Sequence, residues 1–280
     1  MSDQPNLAPG VRDRDHPPRL RVVVWNIARN PAAWLALDRL EPDISLLNEA
    51  VVPADRLGVW SETGTHGRDG KRRAWSAAII TRHPFVAIAD AQPQWRHNRR
   101  DVPFTCSRPG SWVAARIETP VGPVTAVSLY GLMDELSDSS VHRSLSECSP
   151  VFDDPRYGDF VVLGGDLNTG TQWPQSESQF NARDRGVLHR IATYGLTDCV
   201  SAMRAPGRLQ GCQCTEGEGC THVRTRRDPR HPHVPYQTDY CFATTGARLR
   251  LVSCEVLASD EWFALSDHAP IVADFVADPG

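Results

Sequence analysis

Two sets of side chains in this 280-residue sequence have the types and spacing that chemistry requires. One is compact. Residues 211–222 read GCQCTEGEGCTH, a C-x-C-x5-C-x-H pattern that gathers Cys212, Cys214, Cys220 and His222 within 11 residues. Three thiols and an imidazole suit a tetrahedral structural Zn²⁺. The usual zinc pair is C-x2-C, so a local disulfide, unbound thiols, or recruitment of Cys199 or Cys241 stay open as alternatives. The other set is scattered: Asn26, Glu49, Asp166 with Asn168, Asp239, and Asp267 with His268, each at the end of an apolar run. Taken singly, each reads as an ordinary turn or capping residue. Gathered along one sheet edge, they would place carboxylates, carboxamides and an imidazole together, the groups that hold a hard cation and transfer protons.

Positioning them requires strands. Residues 19–27 (RLRVVVWNI) are β-branched and apolar, residues 31–40 have helical spacing, and residues 42–47 (PDISLL) form a second strand ending at Asn48 and Glu49. Residues 74–81 and 85–91 read as paired strands, as do 111–118 and 123–129 across the turn at 119–122. Residues 160–163 lead into Gly164, Gly165 and Asp166; residues 181–194 have helical spacing; 238–243, 249–257 and 269–276 close the chain with strands. Strands occur in both halves with no Pro/Gly-rich linker between them. The expected organisation is therefore a flexible polar lead-in over 1–18 and one α/β domain over 19–280, interrupted by a Cys/Arg-rich insertion at 205–235.

Composition narrows the classes. Hydrophobic residues are 40%, charged residues 23%, with 20 Gly and 22 Pro, which excludes a disordered or fibrous chain. No apolar run approaches the ~18 residues of a membrane span. The first 18 residues, with Pro5, Pro9, Pro17 and Pro18, lack the apolar core of a secretory signal. Eight cysteines are too dilute for a disulfide scaffold, so a reducing cytoplasm is expected. The net charge of -4 opposes indiscriminate coating of nucleic acid, so phosphate recognition must be local. Of 30 basic residues, Lys71 alone is Lys; Arg favours bidentate phosphate contacts, although the codon bias of a GC-rich genome accounts for the same skew.

In order and spacing, VVVWN (22–26), NE (48–49), AAII (77–80), GGDLN (164–168), TDY (238–240) and SDHAPI (266–271) resemble the endonuclease/exonuclease/phosphatase superfamily, the deoxyribonuclease I-like fold. The resemblance spans residues 20–276 and rests chiefly on GGDLN and SDHAPI. It implies a four-layer α/β sandwich with two packed mixed β-sheets flanked by helices. It also implies Mg²⁺- (or Mn²⁺-) dependent hydrolysis of phosphodiester bonds, with DNA or RNA as the first substrate class. A small-molecule or lipid-headgroup phosphatase is the alternative, and an inactive phosphate-binding module is an alternative of another class.

The residue types suit that chemistry. Attack on an anionic phosphodiester calls for a hard cation, for which Glu49 supplies a first carboxylate, Asp267 a second and Asn26 a neutral partner. Asp166 is placed to orient and deprotonate the attacking water, and Asn168 to donate to a non-bridging oxygen. The resemblance gives His268 and Asp239 the role of a pair at the scissile phosphate, with Asp239 orienting the ring. Tyr130, at a position where the superfamily carries His or Tyr, resembles the apurinic-site endonuclease branch and offers a hydroxyl to phosphate. Two departures stand out: Asn48 where Gln is usual, and Gln237-Thr238 where a basic residue is common before Asp239. Beyond the insertion, Arg224, Arg226, Arg227 and Arg230 form either a phosphate clamp beside the catalytic edge or a solvated loop. Arg96, Arg99 and Arg100 with Trp95 and Trp112 form a second Arg-aromatic cluster.

Overall fold

The structure is a computed structural model describing residues 17–66, 71–88, 106–133, 139–153, 160–173, 178–244 and 249–278. The expected lead-in over 1–18 falls almost wholly outside these residues, as do Trp95, Arg96, Arg99 and Arg100.

In chain order the elements are β1 (Arg19–Asn26), α1 (Ala32–Asp38), β2 (Ile44–Ala50), β3 (Gly58–Trp60), β4 (Thr65–His66), β5 (Arg72–Arg73), β6 (Ser76–Thr81), β7 (Phe85–Ala87), β8 (Trp112–Thr119), β9 (Gly122–Leu129), α2 (Ser139–Asp153), β10 (Val161–Asp166), α3 (Ser178–Thr193), β11 (Leu196–Asp198), α4 (Cys199–Met203), β12 (Asp239–Thr244), β13 (Leu249–Val256), α5 (Asp260–Phe263) and β14 (Ile271–Ala277). They build two six-stranded sheets, ordered β13-β14-β1-β2-β6-β3 and β11-β12-β10-β9-β8-β7. Both are mixed: β1 runs parallel to β2 and β9 parallel to β10, while the remaining pairs are antiparallel.

Strands that are apolar on both faces must be covered on both faces, and three clusters do so. Leu20, Val22, Val24, Leu46 and Ile79 from the first sheet meet Ile117, Val124, Ala126, Val162 and Cys241 from the second. Trp25, Leu47 and Ala78 on the outer face of the first sheet pack against Trp34 and Leu37 of α1. Val127, Leu163 and Phe242 on the outer face of the second pack against Val141 and Leu145 of α2 and Val187 and Ile191 of α3. The result is a four-layer α/β sandwich.

The hairpin expected over 74–91 does not form. β6 lies between β2 and β3 in the first sheet, whereas β7 edges the second sheet beside β8. The connecting residues Arg82 and His83 are held by Asp43, 2.5 and 3.0 Å away, so the chain is anchored on the first sheet as it crosses to the second. The β8–β9 hairpin pairs antiparallel from Trp112↔Leu129 to Thr119↔Gly122. Among the described residues no helix is long and apolar enough to cross a membrane.

Candidate active site

Strand register does most of the positioning. Asp166, the last residue of β10, lies directly opposite Asp239, the first of antiparallel β12. Asn26 ends β1 opposite Asn48 of β2. Beyond Leu47 the β2–β6 register shifts before it resumes at Ala50, and Glu49 in that interval has φ 46°. Such a bulge re-aims side chains out of the pleat, here Asn48 and Glu49. His268 is brought to the same edge by the turn before β14: Ser266 Oγ donates to the Asn26 carbonyl at 2.7 Å, and Trp25 Nε1 donates to the His268 carbonyl at 2.9 Å.

The two glycines of GGDLN allow the close approach. A Cβ on Gly164 would come within 2.5 Å of Val24 Cγ2 on the facing sheet. Gly165 has φ 147°, and a Cβ there would meet the Leu129 carbonyl at 2.0 Å and Asn48 Oδ1 at 2.6 Å. With that space open, Asn48 Oδ1 accepts the Asp166 backbone N–H at 2.5 Å. The shorter amide at position 48 therefore still bonds across the site.

Asp166 is the hub. Its carboxylate accepts from the Asn168 N–H at 2.9 Å, Asn26 Nδ2 at 3.1 Å and Asn168 Nδ2 at 3.3 Å, and lies 3.7 Å from His268 Nε2. On its other side the imidazole Nδ1 meets Asp239 at 2.8 Å, which leaves Nε2 facing Asp166. Asp239 is fully buried and also accepts from Thr238 Oγ1 at 3.1 Å. Burial raises the Asp166 carboxyl to about 7 against the pull of His268, with Asp239 adding to the rise. Burial opposes charge on His268, but Asp239 and Asp166 outweigh it and lift the imidazole to about 9. The arrangement sets an imidazole between two carboxylates that favour its charged form, while burial favours the protonated form of Asp166.

Glu49 joins this network through Tyr130, whose hydroxyl donates to Glu49 Oε1 at 3.1 Å. Burial first, then the charges of Asp166 and Glu49, keeps the Tyr130 phenol protonated far above its ordinary range, as a donor. The second Glu49 oxygen meets Arg29 Nε at 3.1 Å, and because the Arg29 side chain is 56% exposed this pair is screened by solvent and weak. Asn26 Oδ1 accepts the Ala28 N–H at 3.0 Å and keeps a second lone pair. The Asp267 carboxylate is 46% exposed, 3.9 Å from His268 Nε2 and 3.8 Å from Arg226 Nε.

The arginines separate. Arg226 forms a β-bridge with His268 and stands beside Asp267. Arg227 instead pairs with Asp260 at 2.7 Å and lies 4.2 Å over the Phe263 ring, and Arg224 lines a cleft with Val200, Arg204, His233 and Glu255. Cys212, Cys214, Cys220 and His222 converge, all buried, in the insertion. Thr225 is a positioning residue that the sequence does not announce: its Oγ1 accepts the N–H groups of Thr238 and Asp239 at 3.0 and 3.1 Å, and its carbonyl accepts from Ala269 at 2.7 Å. A lone threonine among arginines carries no pattern by which to find it.

This architecture is the endonuclease/exonuclease/phosphatase, or deoxyribonuclease I-like, fold. An endonuclease/exonuclease/phosphatase from Beutenbergia cavernae superposes with a TM-score of 0.58 at 19% identity, covering 93% of this chain and 72% of its own. The 3'-5' exonuclease from Neisseria meningitidis gives 0.59 at 16% identity, covering 92% and 100%. The catalytic domain of Xenopus laevis APE2 gives 0.61 at 14% identity, covering 93% of each chain. No protein-family model matches the chain, and no curated protein matches it in sequence.

Proposed function

We propose that this chain is a Mg²⁺- or Mn²⁺-dependent phosphodiesterase acting on nucleic acid. The observation that carries the reading is the Asp166–His268–Asp239 line, with Asp166 fed by three N–H donors and His268 charged at neutral pH. Glu49 would hold the cation, with Asp267 and the free lone pair of Asn26 as its partners. The donor set fits, because a hard cation takes few carboxylates and fills its shell with water and substrate oxygens. When bound, the metal supplies charge neutralisation at the phosphate.

The side chains divide the remaining work. Asp166 holds the attacking water in line with the leaving oxygen and takes its proton as the new P–O bond forms, while the P–O bond to the leaving oxygen breaks and that oxygen takes a proton from solvent. His268, oriented by Asp239, presents Nε2–H to a non-bridging phosphate oxygen, while Asn168 and Tyr130 donate to the same group as charge develops there. The interleaved core of the two sheets supports residues 19–280 acting as one domain, with 205–235 as an insertion against its catalytic edge. Eight cysteines spread over 280 residues are too dilute for a disulfide scaffold, which favours a reducing cytoplasm. The nuclease neighbours favour nucleic acid as partner.

The test is a panel of labelled single-stranded, duplex and abasic DNA, RNA, and inositol and sphingolipid phosphates, each with and without Mg²⁺. Metal-dependent cleavage of a nucleic acid, lost in Asp166→Ala and His268→Ala, is expected. Turnover restricted to monoesters or lipid headgroups would replace the nuclease assignment, and binding without turnover would indicate a phosphate-binding module.

A further inference from the structure

The four soft donors of the insertion meet with the dimensions of a coordination polyhedron. Cys220 Sγ lies 3.8 Å from Cys212 Sγ, and His222 Nδ1 lies 3.6 Å from Cys212 Sγ and 3.4 Å from Cys220 Sγ. One ligand atom from each of these residues and Cys214 falls within 4.8 Å of all the others. A tetrahedral Zn²⁺ with bonds of about 2.3 Å to sulfur and about 2.0 Å to nitrogen sets sulfurs roughly 3.8 Å apart and sulfur roughly 3.5 Å from nitrogen. The measured Cys212–Cys220 and Cys–His222 separations match those edges. A disulfide requires about 2.05 Å, far short of the sulfur separation seen.

The surroundings point the same way. Cys220 is fully buried, and Cys212, Cys214 and His222 are buried with it. His222 Nε2 is 2.8 Å from Thr171 Oγ1; in the tautomer that donates Nε2–H to this hydroxyl, the Nδ1 lone pair faces the sulfurs. A histidine whose second nitrogen is tied off in this way is the common arrangement behind a metal ligand. Between α4 and β12 the described chain contains one short 3-10 turn, Gly217–Gly219, so regular structure does little to hold the segment.

We propose that Cys212, Cys214, Cys220 and His222 bind one structural Zn²⁺ that fastens the insertion to the catalytic edge. Four protein donors close the shell, so the site has no open position for substrate. Its consequence runs along the chain: three residues beyond His222, Thr225 accepts the N–H of Asp239, and Arg226 bridges to His268. Thr171, on the far side of His222, belongs to the loop that follows Asn168. The metal thereby ties both flanks of the Asp166–His268–Asp239 line.

Protein purified without chelator is expected to carry about one zinc per chain by elemental analysis. Cobalt exchanged into it should show thiolate charge transfer and the intense ligand-field bands of a tetrahedral site. Thr171→Val keeps all four donors but frees the imidazole, and should weaken zinc about 10–100-fold in competition with a chelating indicator. His222→Cys should retain metal, whereas Cys214→Ser should lose it and become sensitive to protease within residues 204–238. Should the serine variant fail to fold, the wild-type zinc content and cobalt spectrum still decide. Metal-free folded protein whose three thiols all titrate, or a disulfide among them, would overturn the proposal.

Discussion

Asp166 and His268 face each other at 3.7 Å, and each is shifted by the other and by burial. Catalysis as proposed needs Asp166 ionised and His268 protonated. The rate should therefore rise with pH as the Asp166 carboxyl titrates near about 7 and fall as His268 loses its proton near about 9. Because the groups interact, the two limbs belong to the pair rather than to either residue. Asp239→Asn removes the main anion lifting the imidazole, so the alkaline limb should move to lower pH while the rate falls by about 10⁴-fold. A pH–rate series for both proteins at saturating Mg²⁺ checks this. An unmoved alkaline limb would show that some other group sets it.

At the scale of elements, the site depends on backbone that departs from ideal strand geometry. Gly165→Ala would drive a Cβ to 2.0 Å from the Leu129 carbonyl and 2.6 Å from Asn48 Oδ1 at φ 147°. The contacts are with backbone and a fixed amide, so a loss of about 2 kcal/mol or more is expected from urea unfolding. Asn48→Ala leaves the buried Asp166 N–H without its acceptor and should cost about 1–3 kcal/mol, with a matching loss of turnover. The strands themselves were legible because buried runs such as VVVWN and VVLGGD leave little alternative. The β2 bulge was not, since nothing in LLNEA marks a register shift. α2 is hidden in the sequence: Val141, Leu145, Cys148 and Phe152 repeat at helical spacing, but the Ser-rich segment and Pro150 mask the period. β6 and β7 resemble a hairpin in sequence for a related reason. Two apolar runs three residues apart suggest a hairpin, and the role of Asp43 in capturing Arg82 and His83 from 39 and 40 positions away is invisible to local pattern.

For the whole molecule, the converging residues were readable as a set but their division of labour was not, because it depends on which sheet each strand joins. The crossing at Asp43 is where that choice is made, and it has a measurable signature. Asp43 is buried, accepts the Arg21 N–H at 2.7 Å, and meets His83 at 3.0 Å and Arg82 at 2.5 Å. Burial pushes its carboxyl up, but the Arg21 N–H and the two side-chain donors prevail and hold it below the ordinary carboxylate range. A group depressed in the folded state contributes stability that is complete above its unfolded pKa, about 3.9, and is lost as pH falls through the folded value. Asp43→Asn keeps the volume and discards the charge. It should lower the urea midpoint at neutral pH by an amount equivalent to about 1–3 kcal/mol, and the gap to wild type should close as acid protonates Asp43 itself. A gap that stays constant from neutral pH to about pH 2 would mean that shape, and not ionic bonding of the 82–83 crossing, joins the two sheets there.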